Sequence, residues 1–181
     1  ELSEKYTKID EIPFDFARRR LSVIVSDGQK TQMITKGAVE EILGISTMVD
    51  YQGNVSPITN AIKENIKKIT KDLNKQGLRV VAVCQKNNLE KTSEFTVSDE
   101  KNMVLIGFIG FLDPPKESAK SSIEKLNKNG IRVIVLTGDN VEVTKCICDK
   151  VGIKSPQIVI GSQIDKLQDL SLIHISEPTR P

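Results

Sequence analysis

A Thr-Gly-Asp-Asn turn at residues 137–140 is the stretch of this chain whose residue types are best suited to chemistry. The apolar residues 131–136 before it predict a strand buried on both faces, and residues 141–151 after it predict a helix. Ligands of α/β sheets bind at the carboxyl ends of strands, and the free amides of a helix N-terminus favour a phosphoryl group. The turn therefore predicts a phosphate- or metal-facing loop, although an ordinary helix N-cap at Asp139 or Asn140 would explain the same residues without a ligand.

Alternating helices and strands are predicted around this turn. A helix is expected at 116–129, the strand at 131–136, the helix at 141–151 and a further strand at 157–160. The Asp-Pro-Pro-Lys sequence at 113–116 precedes them, and its two prolines interrupt regular structure because each fixes φ and removes an amide donor. This sequence is therefore the best candidate for a hinge or domain boundary.

Before these prolines, the sequence predicts strands joined by tight turns, together with two helices. Strands are expected on both sides of an Asp-Gly turn at 27–28, and again at 78–84 and 103–112. A short helix from Val39 to Leu43 is expected to be closed by Gly44. The clearest predicted helix is 58–76, because one apolar stripe recurs every three or four positions along it: Ile58, Ile62, Ile66, Ile69 and Leu73. Residues 1–12 are polar, with Ile9 and Ile12 as apolar anchors.

Composition excludes several classes of protein. The chain has 181 residues, of which 38% are hydrophobic and 28% charged, values typical of a globular protein and not of a disordered one. A net charge of +2 and the absence of Trp argue against a nucleic-acid partner. The longest apolar run has nine residues, Val104 to Leu112, whereas a membrane-spanning helix needs about 20. We therefore expect these residues to be soluble and, since the chain begins with Glu1, to be excised from a longer protein.

Cysteine and histidine offer little chemistry. Three cysteines without a framework spacing suggest reduced thiols in a cytosolic setting. Cys146 and Cys148 point about 200° apart around a helix, so they are unsuited to one metal ion. His174 is the one histidine in the sequence, which disfavours a catalytic triad or a zinc site, and no metal-binding residue is predicted.

Phe14 and the run Arg18-Arg19-Arg20 each have two interpretations. Side chains on a strand alternate between its faces, so the three arginines cannot all enter one site. They form either a solvated strand edge or, in part, a contact with a polyphosphate. Phe14 is either a core residue or a platform for a flat ring.

Five motifs in order resemble the cytoplasmic headpiece of P-type cation-transporting ATPases, over about residues 1–170. They are Phe14 with Arg-Arg-x-Ser-Val, Lys36-Gly37-Ala38, Leu78-Arg79, Asp113-Pro114-Pro115-Lys116 and Thr137-Gly138-Asp139. Within that family, residues 9–20 and 136–144 look most like the bacterial magnesium-importing branch.

The resemblance implies an α/β chain of two parts. Residues 1–112 would be the C-terminal part of a nucleotide-binding domain, with an antiparallel sheet and flanking helices. Residues 113–172 would be part of a phosphorylation domain with a doubly wound, haloacid-dehalogenase-like fold. Residues 173–181 continue neither pattern and look like a tail of foreign origin.

Site residues also follow from the resemblance. Phe14 matches the position that stacks on adenine, while Arg19, Lys36 and Arg79 match basic residues near the nucleotide phosphates. Gly37 would let the backbone approach the ligand closely. Thr137, Gly138 and Asp139 match the loop that contacts the transferred phosphoryl group, and Asp113 with Pro114 matches the hinge between the two domains.

ATP and Mg²⁺ are the cofactors that the resemblance implies, and the remaining pump domains are the implied partners. The whole protein would be an ATP-hydrolysing magnesium transporter, with these residues on the cytoplasmic side of the cell membrane. The family's Asp-Lys-Thr-Gly-Thr motif, which carries the phosphorylated aspartate, does not occur in this sequence, and neither does its Gly-Asp-Gly-x-Asn-Asp motif. We therefore expect this chain to bind nucleotide but not to turn it over. The alternatives are a stand-alone haloacid-dehalogenase-like phosphatase and a regulatory or interaction domain that ignores nucleotide.

Overall fold

The computed structural model describes residues 5–89, 94–153 and 157–164. In this part of the chain seven strands form one sheet with the order β1-β2-β3-β6-β7-β4-β5. The strands are β1 Thr7–Asp15, β2 Arg20–Ser26, β3 Thr31–Gly37, β4 Ser46–Tyr51, β5 Asn54–Pro57, β6 Leu78–Asn87 and β7 Met103–Leu112. The helices are α1 Val39–Ile45, α2 Asn60–Lys75, α3 Ser118–Lys128, α4 Val141–Lys150 and the short α5 Gly161–Ile164. The chain is thus mixed α/β, as the sequence predicts.

Contacts between Cα atoms divide the chain into two compact units. The larger contains residues 1–73 and 80–111, and the smaller contains residues 74–79 and 112–181. No helix in the described segments is long and apolar enough to cross a bilayer. The nine residues 173–181, predicted to be a foreign tail, lie outside the described part, as does His174.

Tight turns fix the register of the sheet in the larger unit. The predicted Asp27-Gly28 hairpin is confirmed: β2 and β3 pair antiparallel, and Gly28 has a φ of 89°, a value that L residues with side chains rarely adopt. β4 and β5 form a second hairpin around Gln52 and Gly53, whose φ values are also positive. The sheet is not purely antiparallel, because β4 pairs parallel with β7.

β1 is a strand that hydrophobic patterning did not predict. Its sequence is polar apart from a few residues, and Ile12 is the one position of β1 that the structure buries. It forms as an edge strand because β2 pairs with it along most of its length, from Thr7 opposite Ser26 to Asp15 opposite Arg20, with register shifts after Lys8 and after Ile12. Backbone pairing here outweighs a weak apolar signal.

Apolar side chains from the sheet and helices α1 and α2 form the core of the larger unit. Ile24, Met33, Ile42 and Met103 are fully buried, and Ile66 of α2 packs with them. The predicted stripe on α2 is correct for Ile62 and Ile66 but wrong for Ile69, which is 51% exposed. The polar residue after it, Thr70, is buried instead.

Cys84 lies at the centre of this core and is free. Burial raises the pKa of its thiol to about 12, although hydrogen bonds with Ser46 and Thr35 partly oppose the shift. Because the thiolate is the reactive form, we expect Cys84 to resist iodoacetamide at about pH 8 while the half-buried Cys146 reacts. Mass spectrometry of the alkylated chain checks this. In denaturant both residues should react, and modification of native Cys84 at the rate of Cys146 would contradict the assignment.

The smaller unit lacks the predicted strands at 131–136 and 157–160. Both segments are described, but neither forms a strand. A strand requires a neighbour that accepts its backbone hydrogen bonds, and the apolar side chains of 131–136 are largely exposed, with Leu136 at 91%. The two segments and α4 instead surround a cavity of about 310 Å³ lined by Val133, Val135, Cys148 and Val159, among others. The predicted helices at either side of 131–136 do form, as α3 and α4.

Candidate functional site

The strand register brings four of the predicted site residues to one end of the sheet in the larger unit. Asp15 at the end of β1 pairs with Arg20 at the start of β2. Arg20 pairs in turn with Gly37 at the end of β3, and Gly37 pairs with Ala82 in β6. Phe14, Arg19, Lys36 and Gly37 therefore all lie on or beside a single row across the sheet, although they are up to 23 positions apart in the sequence.

Phe14 is an exposed aromatic residue at this end of the sheet. Half of its surface, 50%, is accessible, and Phe16 packs edge-on against it with 5.3 Å between ring centroids and an interplanar angle of 87°. The interpretation of Phe14 as a core residue is therefore wrong. An exposed ring in contact with a second ring, here Phe16 at 89% exposure, offers a flat apolar face to a ligand.

Arg18 and Arg20 converge on one buried carboxylate, that of Glu100. Arg18 donates to both carboxylate oxygens at 2.8 and 3.0 Å, and Arg20 Nε donates at 2.7 Å. The side chains of Arg18 and Arg20 are only 16% and 12% exposed, and that of Glu100 is fully buried. The interpretation of the arginine run as a solvated strand edge is therefore wrong for Arg18 and Arg20. Both are committed to an internal ion pair.

Glu100 is ionised because its hydrogen bonds outweigh its burial. Burial by itself would raise the pKa of this carboxyl group, but donation from Ser22, Arg20 and Arg18 lowers the pKa below its ordinary value of 4.5. Ser22 Oγ lies 2.7 Å from Oε1 of Glu100 and 2.8 Å from Oγ1 of Thr35. This cluster ties the start of β2 to β3 and to the segment that precedes β7.

Arg19 differs from its two neighbours. Its guanidinium is paired with Glu41 of α1 at 2.7 Å, and its side chain is 54% exposed. Its backbone has a φ of 47°, which is unfavourable for a residue with a side chain. Two backbone hydrogen bonds hold it there, from Arg19 N to Asp15 O at 2.6 Å and from Ala38 N to Arg19 O at 3.0 Å. An exposed pair of this kind contributes little stability, so Arg19 can exchange its carboxylate partner for another anion.

Lys36 and Gly37 end β3 beside this turn. The Lys36 side chain is exposed, and among the described residues no carboxylate pairs with it. Gly37 is buried, and a Cβ added there would lie 2.5 Å from Cβ of Arg20 and 2.6 Å from the carbonyl oxygen of Arg19. The missing side chain therefore serves the contact between β3 and the arginine turn, a structural reason for glycine that the sequence did not reveal.

The Thr137–Asn140 turn belongs to the smaller unit and caps α4. Asn140 Oδ1 accepts hydrogen bonds from the amides of Glu142 and Val143 at 2.9 and 3.1 Å, which confirms the N-cap interpretation for this residue. The amide of Asp139 donates to Thr137 Oγ1 at 3.1 Å. Thr137 and Gly138 are exposed, so the loop is accessible to a ligand.

Arg79 and Asp139 form an ion pair within this smaller unit. The carboxylate is 18% exposed and the guanidinium 49%. The structure thus groups Arg79 with the Thr-Gly-Asp turn, whereas the resemblance assigned it to the nucleotide phosphates. Asp113 and Pro114 are exposed immediately after β7 ends at Leu112. Their predicted role as a hinge stays a prediction.

The described part of the chain contains no cluster of side chains suited to bind a metal ion. No group of three or more His, Cys, Asp or Glu side chains is arranged there to hold an ion. Glu100 and Glu41 are both occupied by arginines. Sequence reasoning missed these two carboxylates, because Glu100 lies about 80 positions from its partners and neither residue belongs to a recognisable motif.

Comparison with known proteins gives one consistent result. A family model described as "P-type ATPase, cytoplasmic domain N" matches residues 1–118. The chain is 41% identical over 179 residues to a "Magnesium-transporting ATPase, P-type 1" of Escherichia coli K12, an alignment that covers 98% of the chain and 20% of the relative.

Two further relatives support this result. A protein of the same name from Salmonella typhimurium strain 14028s is 41% identical over 180 residues, covering 99% of the chain and 20% of the relative. A calcium-transporting ATPase of Listeria monocytogenes is 30% identical over 174 residues, covering 95% of the chain and 20% of the relative. The chain spans about a fifth of the length of these curated relatives.

Proposed function

Because the chain belongs to the P-type ATPase family, we propose that it binds ATP as the nucleotide-binding part of a magnesium-transporting pump. The observation that carries the proposal is the exposed Phe14 ring, which lies at the same end of the sheet as two exposed cationic side chains, Arg19 and Lys36. A nucleoside triphosphate needs both an aromatic surface for its base and positive charge for its phosphates.

Each residue has a distinct role in this proposal. The adenine ring stacks on Phe14, with Phe16 supporting that ring from its edge. Lys36 and Arg19 bind the phosphates, and Arg19 exchanges Glu41 for a phosphate oxygen when ATP arrives. Mg²⁺ enters with ATP as part of the substrate complex.

The Thr137–Gly138–Asp139 turn has the second role, contact with the transferred phosphoryl group. Its support is the exposure of the loop at the N-terminus of α4, whose dipole favours anions although Asn140 already accepts from the amides of Glu142 and Val143. Arg79, which is paired with Asp139, lies beside this loop. In this proposal residues 1–112 form most of the nucleotide-binding domain, and residues 113–172 form part of the phosphorylation domain. The chain itself would bind ATP without turning it over.

Magnesium as the transported ion is supported by the names of the relatives. The relatives that share 41% of aligned residues are called magnesium-transporting, and the one that shares 30% is called calcium-transporting. In the whole pump these residues would lie on the cytoplasmic side of the cell membrane, with the actuator domain and the membrane helices as partners.

An ATP titration of the 181-residue chain, followed by calorimetry or NMR, tests the proposal. One aromatic stack contributes about 1–3 kcal/mol, so we expect weak binding that falls by about tenfold in Phe14→Ala. Lys36→Ala should weaken ATP more than adenosine, because the lysine contacts phosphate only. Lys30→Ala is the matched control, since Lys30 is an exposed lysine at the opposite end of β3.

Two results would overturn the proposal. A folded chain that shows no response to millimolar ATP would support an interaction domain instead. ATP binding that is unchanged in Phe14→Ala and Lys36→Ala would place the nucleotide elsewhere on the chain.

A further inference from the structure

We infer that Glu100 is a positioning residue for the nucleotide: through Arg18 and Arg20 it holds the turn that carries Phe14 and Arg19 at the end of the sheet. This inference rests on the proposed function, because it assigns Glu100 a role in ATP binding. Glu100 comes just before β7 and belongs to none of the five motifs that pointed to the site.

The link from Glu100 to Phe14 passes through Arg18. One nitrogen of the Arg18 guanidinium, Nη1, donates to the Glu100 carboxylate at 2.8 and 3.0 Å. The other, Nη2, donates to the carbonyl oxygen of Pro13 at 2.8 Å. Pro13 immediately precedes Phe14, so the planar guanidinium fixes the backbone that sets the direction of the aromatic ring.

The link from Glu100 to Arg19 passes through Arg20 and Ser22. Both side chains donate to the same carboxylate at 2.7 Å, and both belong to the start of β2. Arg19 is the residue directly before this strand and is held at a positive φ. Arg19 is therefore held on both sides, by the fixed start of β2 and by the hydrogen bond from its amide to the Asp15 carbonyl. Its φ cannot relax to a favourable negative value.

Glu100 acts through these neighbours and not on the ligand. Its side chain is fully buried under the two arginines, so a nucleotide at the surface cannot touch it. Its contribution is preorganisation: without the carboxylate, the turn would have to be ordered when ATP binds, and that cost would appear as lost affinity.

Glu100→Gln is the informative variant because it removes the charge and retains the shape. The amide replaces one of the two carboxylate oxygens by an NH₂ group, which cannot accept a hydrogen bond, so the arginine hydrogen bonds to that oxygen are lost. We expect ATP affinity to fall by about tenfold in this variant, with Glu100→Asp intermediate. Glu64→Gln, which removes an acid from an exposed pair with Lys67 on α2, is the matched control and should bind as the wild type does.

Amide hydrogen exchange separates a positioning role from a general loss of stability, because the amides of exposed turns exchange by local opening and not by global unfolding. The amides of Ala17 and Arg19 are bonded to Asp15 within the turn, and those of Gln29 and Lys30 are bonded to Asp27 in the turn at the other end of the sheet. Glu100→Gln should accelerate exchange in the first pair of amides and leave the second pair unchanged.

Each outcome decides the inference. Weaker ATP binding together with faster exchange confined to Ala17 and Arg19 supports it. Wild-type affinity in a folded Glu100→Gln variant overturns it, and so does exchange that rises equally in both turns. If Glu100→Gln does not fold, Arg18→Gln decides instead, because it breaks the link to Pro13 and leaves the Arg20–Glu100 pair in place. A wild-type chain that does not bind ATP overturns the proposed function, and localised exchange in that case shows that Glu100 orders the turn for another purpose.

Discussion

A Glu100→Gln variant is expected to lose about 3 kcal/mol of unfolding free energy at neutral pH, since removing one partner of a buried ion pair leaves the other charges uncompensated. Arg18 and Arg20, at 16% and 12% exposure, would keep their charges with only the more distant carboxylates of Asp15, at 3.4 Å, and Glu41, at 3.8 Å, near them. The larger unit should unfold at a lower urea concentration. NMR signals of the fully buried Met33 and Met103 methyl groups report on that unit specifically.

The same variant should reveal the pH dependence that Glu100 confers. Donation from Ser22, Arg20 and Arg18 lowers the pKa of Glu100 in the folded chain despite the opposing effect of burial. A lowered pKa stabilises the fold above the ordinary value of 4.5, and the contribution is lost as the pH falls through the folded-state pKa. The difference in unfolding free energy between wild type and Glu100→Gln should therefore be constant near neutral pH and shrink in acid, as the pH falls below that ordinary value. A difference that stays constant down to about pH 2 would contradict the ionised state of Glu100.

Gly37→Ala is expected to destabilise the larger unit by about 1–3 kcal/mol, the usual cost of forcing extra atoms into a packed site. The new Cβ would lie 2.5 Å from Cβ of Arg20, 2.6 Å from O of Arg19 and 2.9 Å from Cα of Arg20. None of these atoms can rotate away, so β2 and β3 must separate. That separation displaces the arginine turn, and we expect ATP binding to weaken along with stability.

Gly44→Ala provides the matched control for this substitution. Gly44 was predicted to close the short helix after Leu43, but the structure continues α1 to Ile45 without a positive φ at Gly44. A Cβ there meets nothing within 4 Å. Alanine is favoured over glycine inside a helix by about 0.5–1 kcal/mol, so this variant should be slightly more stable than the wild type. Urea unfolding of the two variants, followed by the same methionine signals, measures the change in unfolding free energy for the same glycine-to-alanine substitution at two sites. We expect a decrease for Gly37→Ala and a small increase for Gly44→Ala. Equal effects would contradict the crowding at Gly37.

The sequence predicted correctly those elements that depend on residues close together in the chain. The Asp27-Gly28 hairpin, the helix bearing Ile62 and Ile66, and the Asn140 cap depend on residues a few positions apart, and the structure contains all three. The ordered motifs also indicated the family correctly. The positions of Phe14, Arg19, Lys36 and Gly37 at one sheet end then follow from the register of β1, β2 and β3.

Long-range pairing accounts for what the sequence did not predict. β1 exists because β2 accepts its hydrogen bonds, and residues 131–136 remain without a strand partner although their composition is strongly apolar. Glu100 meets Arg18 and Arg20 across about 80 residues, a distance over which patterning carries no information. The role of Gly37 likewise depends on the approach of Arg19 and Arg20, which a search for ligand-binding glycines does not consider.

The most direct test of the account is an intermolecular NOE measurement on the chain with ATP. It should detect contacts between the adenine ring protons and the ring protons of Phe14, which is 50% exposed. Selective labelling of phenylalanine, with Phe16→Leu to remove the neighbouring ring, assigns those contacts. Adenine contacts with Phe14 that persist in Phe16→Leu are the expected result. Saturable ATP binding without any adenine contact to Phe14 would contradict it.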